Sequence, residues 1–250
     1  MRYFIAFSYN GKSYHGWQRQ PNAVTVQELM EKALSTILRQ TVALMAAGRT
    51  DAGVHARQMY AHLDLDASVD MGNLKYKLNS FLPEDIAIQD IFEVPKDAHT
   101  RFDAIERTYE YWVLQEKNPF YSNNAFYVRY PLDVDKMNEA ASLLLEYKDF
   151  ECFSKSNTDV KTFLCTIKNA SWEFKEEKLV FTITANRFLR NMVRAIVGTL
   201  LDVGLGKSNL NDVRVILESK NREEAGVSVP AKGLYLTRVI YPENIVKING

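Results

Sequence analysis

The feature that most constrains the fold is a nine-residue segment, GRTDAGVHA at positions 48–56, set between two stretches of strand-like sequence. The apolar run 42–47 precedes it, and apolar and polar side chains alternate over residues 58–65 as in a half-buried strand. Two glycines permit unusual backbone angles, so the pattern predicts a strand, a turn and a returning strand. Arg49 and Asp51 lie at the tip, where rigid strands hold functional side chains well. On residue chemistry alone, a polar hairpin tip with a self-capping aspartate is an equally good interpretation.

Composition limits the classes of protein that remain. The chain has 250 residues, 46% hydrophobic and 25% charged, which is enough for one large domain or two closely joined halves. Its 31 basic and 31 acidic residues cancel, which argues mildly against an RNA partner, although clustered charge on one face suffices for binding. Cys152 and Cys165 form no C-x-x-C pair, and no membrane span or signal peptide is evident. We therefore expect a reduced cytoplasmic protein without membrane association.

The order of elements is mixed rather than a regular alternation of strand and helix. Strands are expected near residues 3–8, 86–88, 107–114, 167–174, 179–185 and 235–241, and helices near residues 26–39, 73–80, 135–147, 187–203 and 211–219. This order predicts an α+β fold with two halves of mainly antiparallel sheet and helices on one face. We divide the chain into an N-terminal half, residues 1–104, that carries the aspartate segment, and a C-terminal half, residues 105–250.

Several local patterns add detail to this outline. Thr25 and Glu28 form a capping box at a helix start, and the strand at residues 3–8 is apolar on both faces, as in a central strand. The charged run 175–178 predicts a hairpin turn that leaves Lys178 in solvent. Two apolar helix faces are expected, one formed by Val26, Leu29, Met30, Ala33 and Ile37, the other by Met137, Ala140, Ala141, Leu144 and Leu145.

Three arginines and one tyrosine are the further candidates in the C-terminal half. Arg187, Arg190 and Arg194 are spaced at i, i+3 and i+7, which predicts one basic face of the helix at 187–203. A solvated basic face is the commoner meaning of such spacing. Tyr109 shares a strand face with Tyr111, so its ring is expected to be partly buried and its hydroxyl to need a partner.

Motifs for nucleotides and metals fail on inspection. The GKS at residues 206–208 lacks the earlier glycine of a phosphate-binding loop and follows a helix, so Gly204 and Gly206 are better interpreted as helix-ending residues. Asp51 and His55 are four apart, but the glycine between them argues against a helix and no third ligand lies nearby. We expect no metal and no cofactor.

The nine-residue segment resembles the signature of the tRNA pseudouridine synthase A family. Other segments resemble the same family in the same order: Tyr14, GWQRQ at 16–20, TVQ at 25–27, NSFLP at 79–83, RFDA at 101–104, RTYEY at 107–111, FLRNMVR at 188–194, VG at 197–198 and GLYL at 233–236. The resemblance implies a pseudouridine synthase fold with flanking helices and a central active-site cleft. Asp103 stands where many members have serine, and residues 154–161 are not assigned to any family segment.

What the resemblance implies is an isomerase that converts uridine to pseudouridine at positions 38, 39 and 40 of the tRNA anticodon stem-loop, acting as a cytoplasmic homodimer. Asp51 is the implied nucleophile or initiating carboxylate. Whether it attacks C1′, adds to C6 or removes a sugar proton stays open. Arg194 is implied to pair with Asp51, and Tyr109 to stack on the target uracil. Arg49 is a candidate for holding the flipped nucleotide, and either Leu234 or Leu236 for walling the pocket.

RNA recognition is expected to rest on shape and phosphates, because duplex RNA hides its base edges in a deep groove. The candidate phosphate contacts are Arg19, Arg57, Arg101, Arg107, Arg187 and Arg190. Two alternatives remain: a non-catalytic RNA-binding protein of the same fold, and a carboxylate-dependent nucleoside hydrolase, which favours a second acid or a metal.

Overall fold

A computed structural model describes residues 1–155 and 160–246. In chain order its strands and longer helices are β1 (Arg2–Tyr9), α1 (Val26–Leu38), β2 (Met45–Ala46), β3 (His55–Asp64), α2 (Met71–Phe81), β4 (Ile86–Val94), β5 (Glu106–Leu114), β6 (Phe126–Tyr127), α3 (Val134–Leu143), β7 (Ile167–Lys175), β8 (Lys178–Ala185), α4 (Met192–Gly204), α5 (Leu210–Ser219) and β9 (Leu234–Ile240). Short 3-10 helices lie at Gly11–Ser13, Pro119–Tyr121, Glu151–Phe153 and Ala231–Gly233. The predicted α+β class is confirmed.

The chain forms two compact units. Unit 1 comprises residues 1–106 and the chain from Tyr235 onward, and unit 2 comprises residues 107–234. The sequence-based division into functional halves at residue 104 stays a prediction. Among the described residues, no helix combines the length and apolarity needed to cross a membrane.

In unit 1, β1 lies between β4 and β3 and is antiparallel to both. Phe4, Ile5 and Phe7 are all fully buried although they point to both faces of the strand, which confirms the central position predicted for β1. β9 extends this sheet by pairing in parallel with β3.

Helix α1 begins where the sequence predicts. The Thr25 hydroxyl accepts the Glu28 amide hydrogen at 3.4 Å, so Thr25 caps the helix. The expected apolar face is partly wrong. Val26, Met30, Ala33 and Leu34 are the buried residues, whereas Leu29 and Ile37 are half-buried. The buried stripe is therefore rotated slightly toward Leu34.

The strand, turn and returning strand predicted around residues 48–56 are present with different bounds. β2 has only two residues and pairs antiparallel with β3, which begins already at His55. Residues 47–54 form a wide loop rather than a tight turn. Of the two glycines that permit unusual backbone angles, Gly53 uses this freedom, with a left-handed φ of +78°, and Gly48 does not.

In unit 2, β8 lies between β5 and β7 and is antiparallel to both, and β6 pairs in parallel with β5. The β7–β8 hairpin is confirmed, with Glu176 in its turn at φ +54°. The solvated position expected for Lys178 is wrong, because β8 begins at this residue. Lys178 is only 7% exposed, and its Nζ lies 3.2 Å from the Tyr121 hydroxyl and 5.1 Å from the centre of the Trp112 ring.

The helix predicted at residues 135–147 ends earlier than expected. α3 stops at Leu143, which is buried, while Leu145 is 47% exposed instead of facing inward. Asn138 ties α3 to β7, because its amide accepts from the Trp172 N–H at 2.7 Å and donates to the Trp172 carbonyl at 3.0 Å.

The single basic helix face predicted for Arg187, Arg190 and Arg194 is wrong. α4 begins at Met192, because Asn191 adopts the left-handed conformation at φ +67° and interrupts the helical path. Arg187 and Arg190 therefore precede the helix, and only Arg194 lies in it. α4 is buried on nearly all sides and ends at Gly204, and Gly206 follows at φ +70°, which confirms the helix-ending interpretation of both glycines.

The two cysteines lie in unit 2, and both are buried and free. Burial raises the pKa of the Cys152 thiol to about 12 and that of the Cys165 thiol to about 11.

Candidate active site

The loop at residues 47–54, which we call the aspartate loop, is held by the segment 9–17, which we call the brace. The Tyr9 hydroxyl lies 2.8 Å from the Thr50 hydroxyl in a buried contact, and the Thr50 carbonyl accepts from the Trp17 amide at 3.3 Å. On the other side of Asp51, the Gly53 amide donates to the Tyr14 carbonyl at 3.1 Å. The residues flanking Asp51 are thus fixed on both sides by one continuous segment.

Two glycines let the brace approach the loop backbone directly. A Cβ atom on Gly11 would lie 1.9 Å from the Val54 carbonyl oxygen, and one on Gly16 would lie 2.4 Å from the Thr50 carbonyl oxygen. Gly16 also has a left-handed φ of +87°. No side chain fits at either position without displacing backbone.

Tyr14 anchors the brace in turn. Its hydroxyl donates to Asp85. Burial, together with this hydrogen bond, raises the Tyr14 pKa, so the hydroxyl stays protonated. The motif fragments around Tyr14 and Gly16 therefore have a physical meaning: they determine where Asp51 lies.

His55 has a structural role at the start of β3. Its Nδ1 accepts the Gly11 amide hydrogen at 3.1 Å, so that nitrogen carries a lone pair engaged by the backbone. Its ring stacks on Tyr235 with centroids 4.5 Å apart and planes 17° from parallel. These contacts account for His55 without any metal or base chemistry. Over the described residues, no three His, Cys, Asp or Glu side chains are grouped so as to hold a metal ion.

The remaining unit 1 candidates differ in exposure. Asp51 is half-buried and Arg49 beside it is exposed, while Leu236 is buried on β9 opposite Ala56. Among the candidate phosphate contacts, Arg57 is exposed on β3. Two others have local partners, namely Arg19, whose 65% exposed side chain lies 3.9 Å from Glu31, and Arg101, which lies over the Phe102 ring.

In unit 2, Tyr109 lies on β5 with a half-buried ring, as predicted. The Phe188 ring meets it edge-on, with centroids 5.1 Å apart and an interplanar angle of 85°. Tyr111, two residues along the same strand face, is fully buried. Tyr109 is therefore placed at the margin of the core, where its ring is supported by Phe188.

Arg194 lies in the first turn of α4 and exchanges two hydrogen bonds with Val229. Its Nε donates to the Val229 carbonyl at 2.7 Å, and its own carbonyl accepts from the Val229 amide at 3.2 Å. The first bond fixes the plane of the guanidinium. A carboxylate held by two hydrogen bonds would consequently meet the edge that carries the two terminal nitrogens.

Sequence reasoning did not identify Val229. It contributes only backbone atoms, and no side-chain pattern signals such a contact. Of the other unit 2 candidates, Arg107 donates to the Asn186 carbonyl at 2.8 Å and Arg187 to the Thr162 carbonyl at 3.3 Å. Arg190 is exposed, and Leu234 is buried at the start of β9.

The candidates thus form one group in each unit. The loop contacts bring together the neighbourhood of Asp51, and the α4 contacts fix Arg194, while the pairing of these two residues stays a prediction. Of residues 154–161, which the sequence analysis could not assign to a family segment, residues 156–159 lie outside the described part of the chain.

Comparison with known proteins adds independent information. Residues 5–103 and 140–242 match a family model described as tRNA pseudouridine synthase. A tRNA pseudouridine synthase A from Bacteroides fragilis is 51% identical over 246 residues, which cover 98% of each chain. The protein of the same name from Porphyromonas gingivalis is 52% identical over 248 residues, again 98% of each chain. A more distant one, from Thermoanaerobacter pseudethanolicus, is 41% identical over 239 residues, covering 95% of this chain and 98% of the relative. The similarity spans both units.

Proposed function

The chain belongs to the tRNA pseudouridine synthase A family, and on that premise we propose that it isomerises uridine to pseudouridine in tRNA, at positions 38, 39 and 40 of the anticodon stem-loop. The observation that carries the proposal is Asp51, a half-buried carboxylate between two residues that the brace fixes in place. Preorganised charge of this kind is what a glycosidic rearrangement requires.

The reaction is an internal rearrangement. The bond between C1′ and N1 of uracil breaks, the base rotates, and a bond forms between C1′ and C5. The C5 proton leaves and N1 gains one, so atoms and electrons balance without an external reagent. Asp51 initiates this sequence, whether by attack on C1′, addition to C6 or removal of a sugar proton. All three steps need an ionised carboxylate, and a guanidinium partner favours that form.

Arg194 is the proposed partner of Asp51. Its Nε bond to Val229 supports this role, because this hydrogen bond orients the guanidinium. Tyr109 is proposed to stack on the flipped uracil, supported by the edge of Phe188. Its hydroxyl is a candidate for moving the C5 proton.

The target base must leave the helical stack before chemistry, which costs a few kcal/mol. Arg49, which is exposed beside Asp51, is proposed to hold the flipped nucleotide or fill the vacated space. Leu234 or Leu236 is proposed to wall the pocket; both are buried, so the choice between them stays open.

Binding of the tRNA is proposed to use clustered rather than net charge, because the protein is formally neutral. The proposed phosphate contacts are Arg19, Arg57, Arg101, Arg107, Arg187 and Arg190. We further propose that the protein is cytoplasmic and forms a homodimer. Light scattering of the purified protein would test the dimer. Monomers at all concentrations would contradict the dimer.

The test uses unmodified tRNA transcripts with uridine at only one of the three positions. Asp51→Asn keeps the shape of the side chain and removes its charge, so pseudouridine formation should fall to background while tRNA affinity is retained. Asp66→Asn, an exposed aspartate of the same unit, serves as the matched control and should behave like the parent.

Three products separate the possible functions. Pseudouridine supports the proposal, free uracil indicates a nucleoside hydrolase, and binding without a product indicates a non-catalytic RNA-binding protein. Appreciable pseudouridine formation by the Asp51→Asn variant would remove the assigned role of Asp51.

A further inference from the structure

The segment 225–230, which we call the strap, runs along one side of α4. Besides the Val229 contact with Arg194, the Ser228 hydroxyl accepts from the Asn191 side-chain amide at 2.6 Å. The Gly226 amide donates to the Thr199 hydroxyl at 2.9 Å. Asn191 immediately precedes α4, and Arg194 and Thr199 lie within it, so the strap follows the first two turns or so of the helix.

The strap backbone lies directly on the helix backbone. A Cβ on Gly198 would lie 2.0 Å from the Val227 carbonyl oxygen, and one on Gly226 would lie 2.6 Å from the Thr199 amide nitrogen. The far end is anchored by Tyr111, whose hydroxyl donates to the Pro230 carbonyl at 2.8 Å. Burial raises the pKa of this hydroxyl, so it remains a donor.

Polar contacts rather than apolar packing hold most of the strap. Val229 is buried, but the Val227 side chain is 86% exposed, and Ala225, Gly226 and Ser228 are half-buried. A short segment that contains glycine loses much conformational freedom when it is fixed. Something must therefore hold these residues in place.

Arg222 supplies the interactions that do so. Its Nη2 donates to the Ser228 hydroxyl oxygen at 2.8 Å, and its Nη1 donates to the Ala225 and Gly226 carbonyls at 3.3 Å each. One planar guanidinium thus binds three residues of the strap. The last of them, Ser228, immediately precedes Val229, whose carbonyl orients Arg194. The rigid fork of arginine suits this task, and a lysine cannot reproduce it.

We propose that Arg222 is a positioning residue for the reaction: it holds the strap on α4 and so aims the guanidinium of Arg194. This inference rests on the proposed role of Arg194. Arg222 acts through the Val229 carbonyl and does not touch substrate. It is thereby distinct from the arginines proposed to bind phosphates.

The test is a double-mutant cycle on single-turnover pseudouridine formation, with tRNA affinity and thermal unfolding measured alongside. Arg222→Ala should lower the rate by roughly 10- to 100-fold, since small misplacements of catalytic groups have effects of this size. It should leave tRNA affinity unchanged. In an Arg194→Ala background the same substitution should have no further effect, because residues that act as a unit are not additive.

Two further variants guard against loss of folding. Arg222→Lys keeps the charge and stem but loses the fork, so it should fold and give an intermediate rate. Arg214→Ala removes an exposed arginine on α5 that pairs with Glu146 at 3.4 Å, and should match the parent.

The outcomes separate cleanly. Rate losses that multiply in the double variant, or weaker tRNA binding with a flatter salt dependence, would mean that Arg222 acts independently of Arg194, and the inference is overturned. A parent-like rate for Arg222→Ala overturns it as well. Parent-like turnover by Arg194→Ala would instead remove the proposed role of Arg194, and the inference with it. No pseudouridine from the parent protein would mean that the proposed function itself has failed.

Discussion

The aspartate loop in unit 1 and the strap in unit 2 both lie in close backbone contact with another chain segment, but different interactions hold them there. In each, a second chain segment comes so close to a functional element that only glycine fits, at Gly11 and Gly16 for the loop and at Gly198 and Gly226 for the strap. The loop is held by backbone amides and by a buried tyrosine hydroxyl. The strap depends on the half-buried side chain of Arg222.

This difference indicates which candidate residue is the more rigidly placed. Buried hydrogen bonds are harder to replace with water than half-exposed ones, so the neighbourhood of Asp51 should open rarely and that of Arg194 more often. The proposed nucleophile is then the fixed reference of the site, and its proposed partner is the adjustable part.

The largest effect expected from the difference between the loop and the strap comes from adding one methyl group at a close approach in each. Gly11→Ala places a carbon 1.9 Å from the Val54 carbonyl oxygen, and the loop cannot yield because both sides are anchored. We expect the rate of pseudouridine formation to fall by about 100-fold. Gly198→Ala clashes with the Val227 carbonyl at 2.0 Å, but the strap can move outward at the exposed Val227, so a roughly tenfold loss of rate is expected.

Gly48→Ala is the matched control, because Gly48 has open space around it and an ordinary backbone. Single-turnover rates of the three variants, with thermal unfolding of each, make the comparison. Equal losses for Gly11→Ala and Gly198→Ala would remove the proposed difference in rigidity.

A second, smaller effect is a pH dependence of stability that originates in unit 1. All four histidines of the chain lie in unit 1. Burial on β3, with Arg2 and His99 nearby, lowers the pKa of His62 from 6.5 to about 4, outweighing the opposite effect of Asp64 and Asp103. Its Nδ1 lies 2.8 Å from the Thr100 hydroxyl.

In the unfolded chain His62 binds a proton near pH 6.5, whereas in the folded chain it does so only near pH 4. The contribution of neutral His62 to the free energy of unfolding is therefore complete above about pH 6.5. This contribution is lost as the pH falls from about 6.5 to about 4. The melting temperature should decrease by several degrees over this interval, and His62→Gln should flatten the decrease. His99, whose pKa is also lowered by burial and by Arg2, adds a smaller contribution of the same sign. An unchanged pH profile for His62→Gln would exclude His62 as the source.

The start of α4 was harder to predict from the sequence than most other elements of the fold. β1, α1, α5 and the β7–β8 hairpin follow from local periodicity and turn chemistry, and their existence was predicted. The start of α4 was missed because Asn191, which ends the preceding turn in a left-handed conformation, is held by Ser228 far along the chain. No local pattern encodes such a contact.

The same limit applies to the candidate site. Asp51, Tyr109 and Arg194 were chosen by motif, and the motif also identified the segment that proves to be the brace. Arg222 and the strap were not predicted, because their importance lies in hydrogen bonds to backbone carbonyls and to a serine. Lys178 was misjudged for a related reason: its charge predicted solvent, but two aromatic rings cover it.

The smallest expected effect concerns the two arginines that precede α4. If Arg187 and Arg190 contact phosphates, replacing each with alanine should weaken tRNA binding and flatten its salt dependence by roughly one unit or less per lost contact. Lys136→Ala on α3, where Asp133 lies 2.8 Å from the lysine, is the control and should leave the slope unchanged. Binding titrations at several salt concentrations measure the salt dependence of tRNA affinity. An unaltered slope for both arginine variants would mean that Arg187 and Arg190 are solvated and do not contact phosphates.

The discontinuity of unit 1 has a consequence for how the protein is made. β3 and its parallel partner β9 are separated in the chain by the whole of unit 2. During translation the aspartate loop and its brace emerge before unit 2, whereas Tyr235, which stacks on His55 beside that loop, emerges only after it. Unit 2 is contiguous and can fold on the ribosome first. Pairing of such distant strands is slow, so β9 docking should be the late step of biogenesis, and nascent chains lack the pairing of β3 with β9 until then.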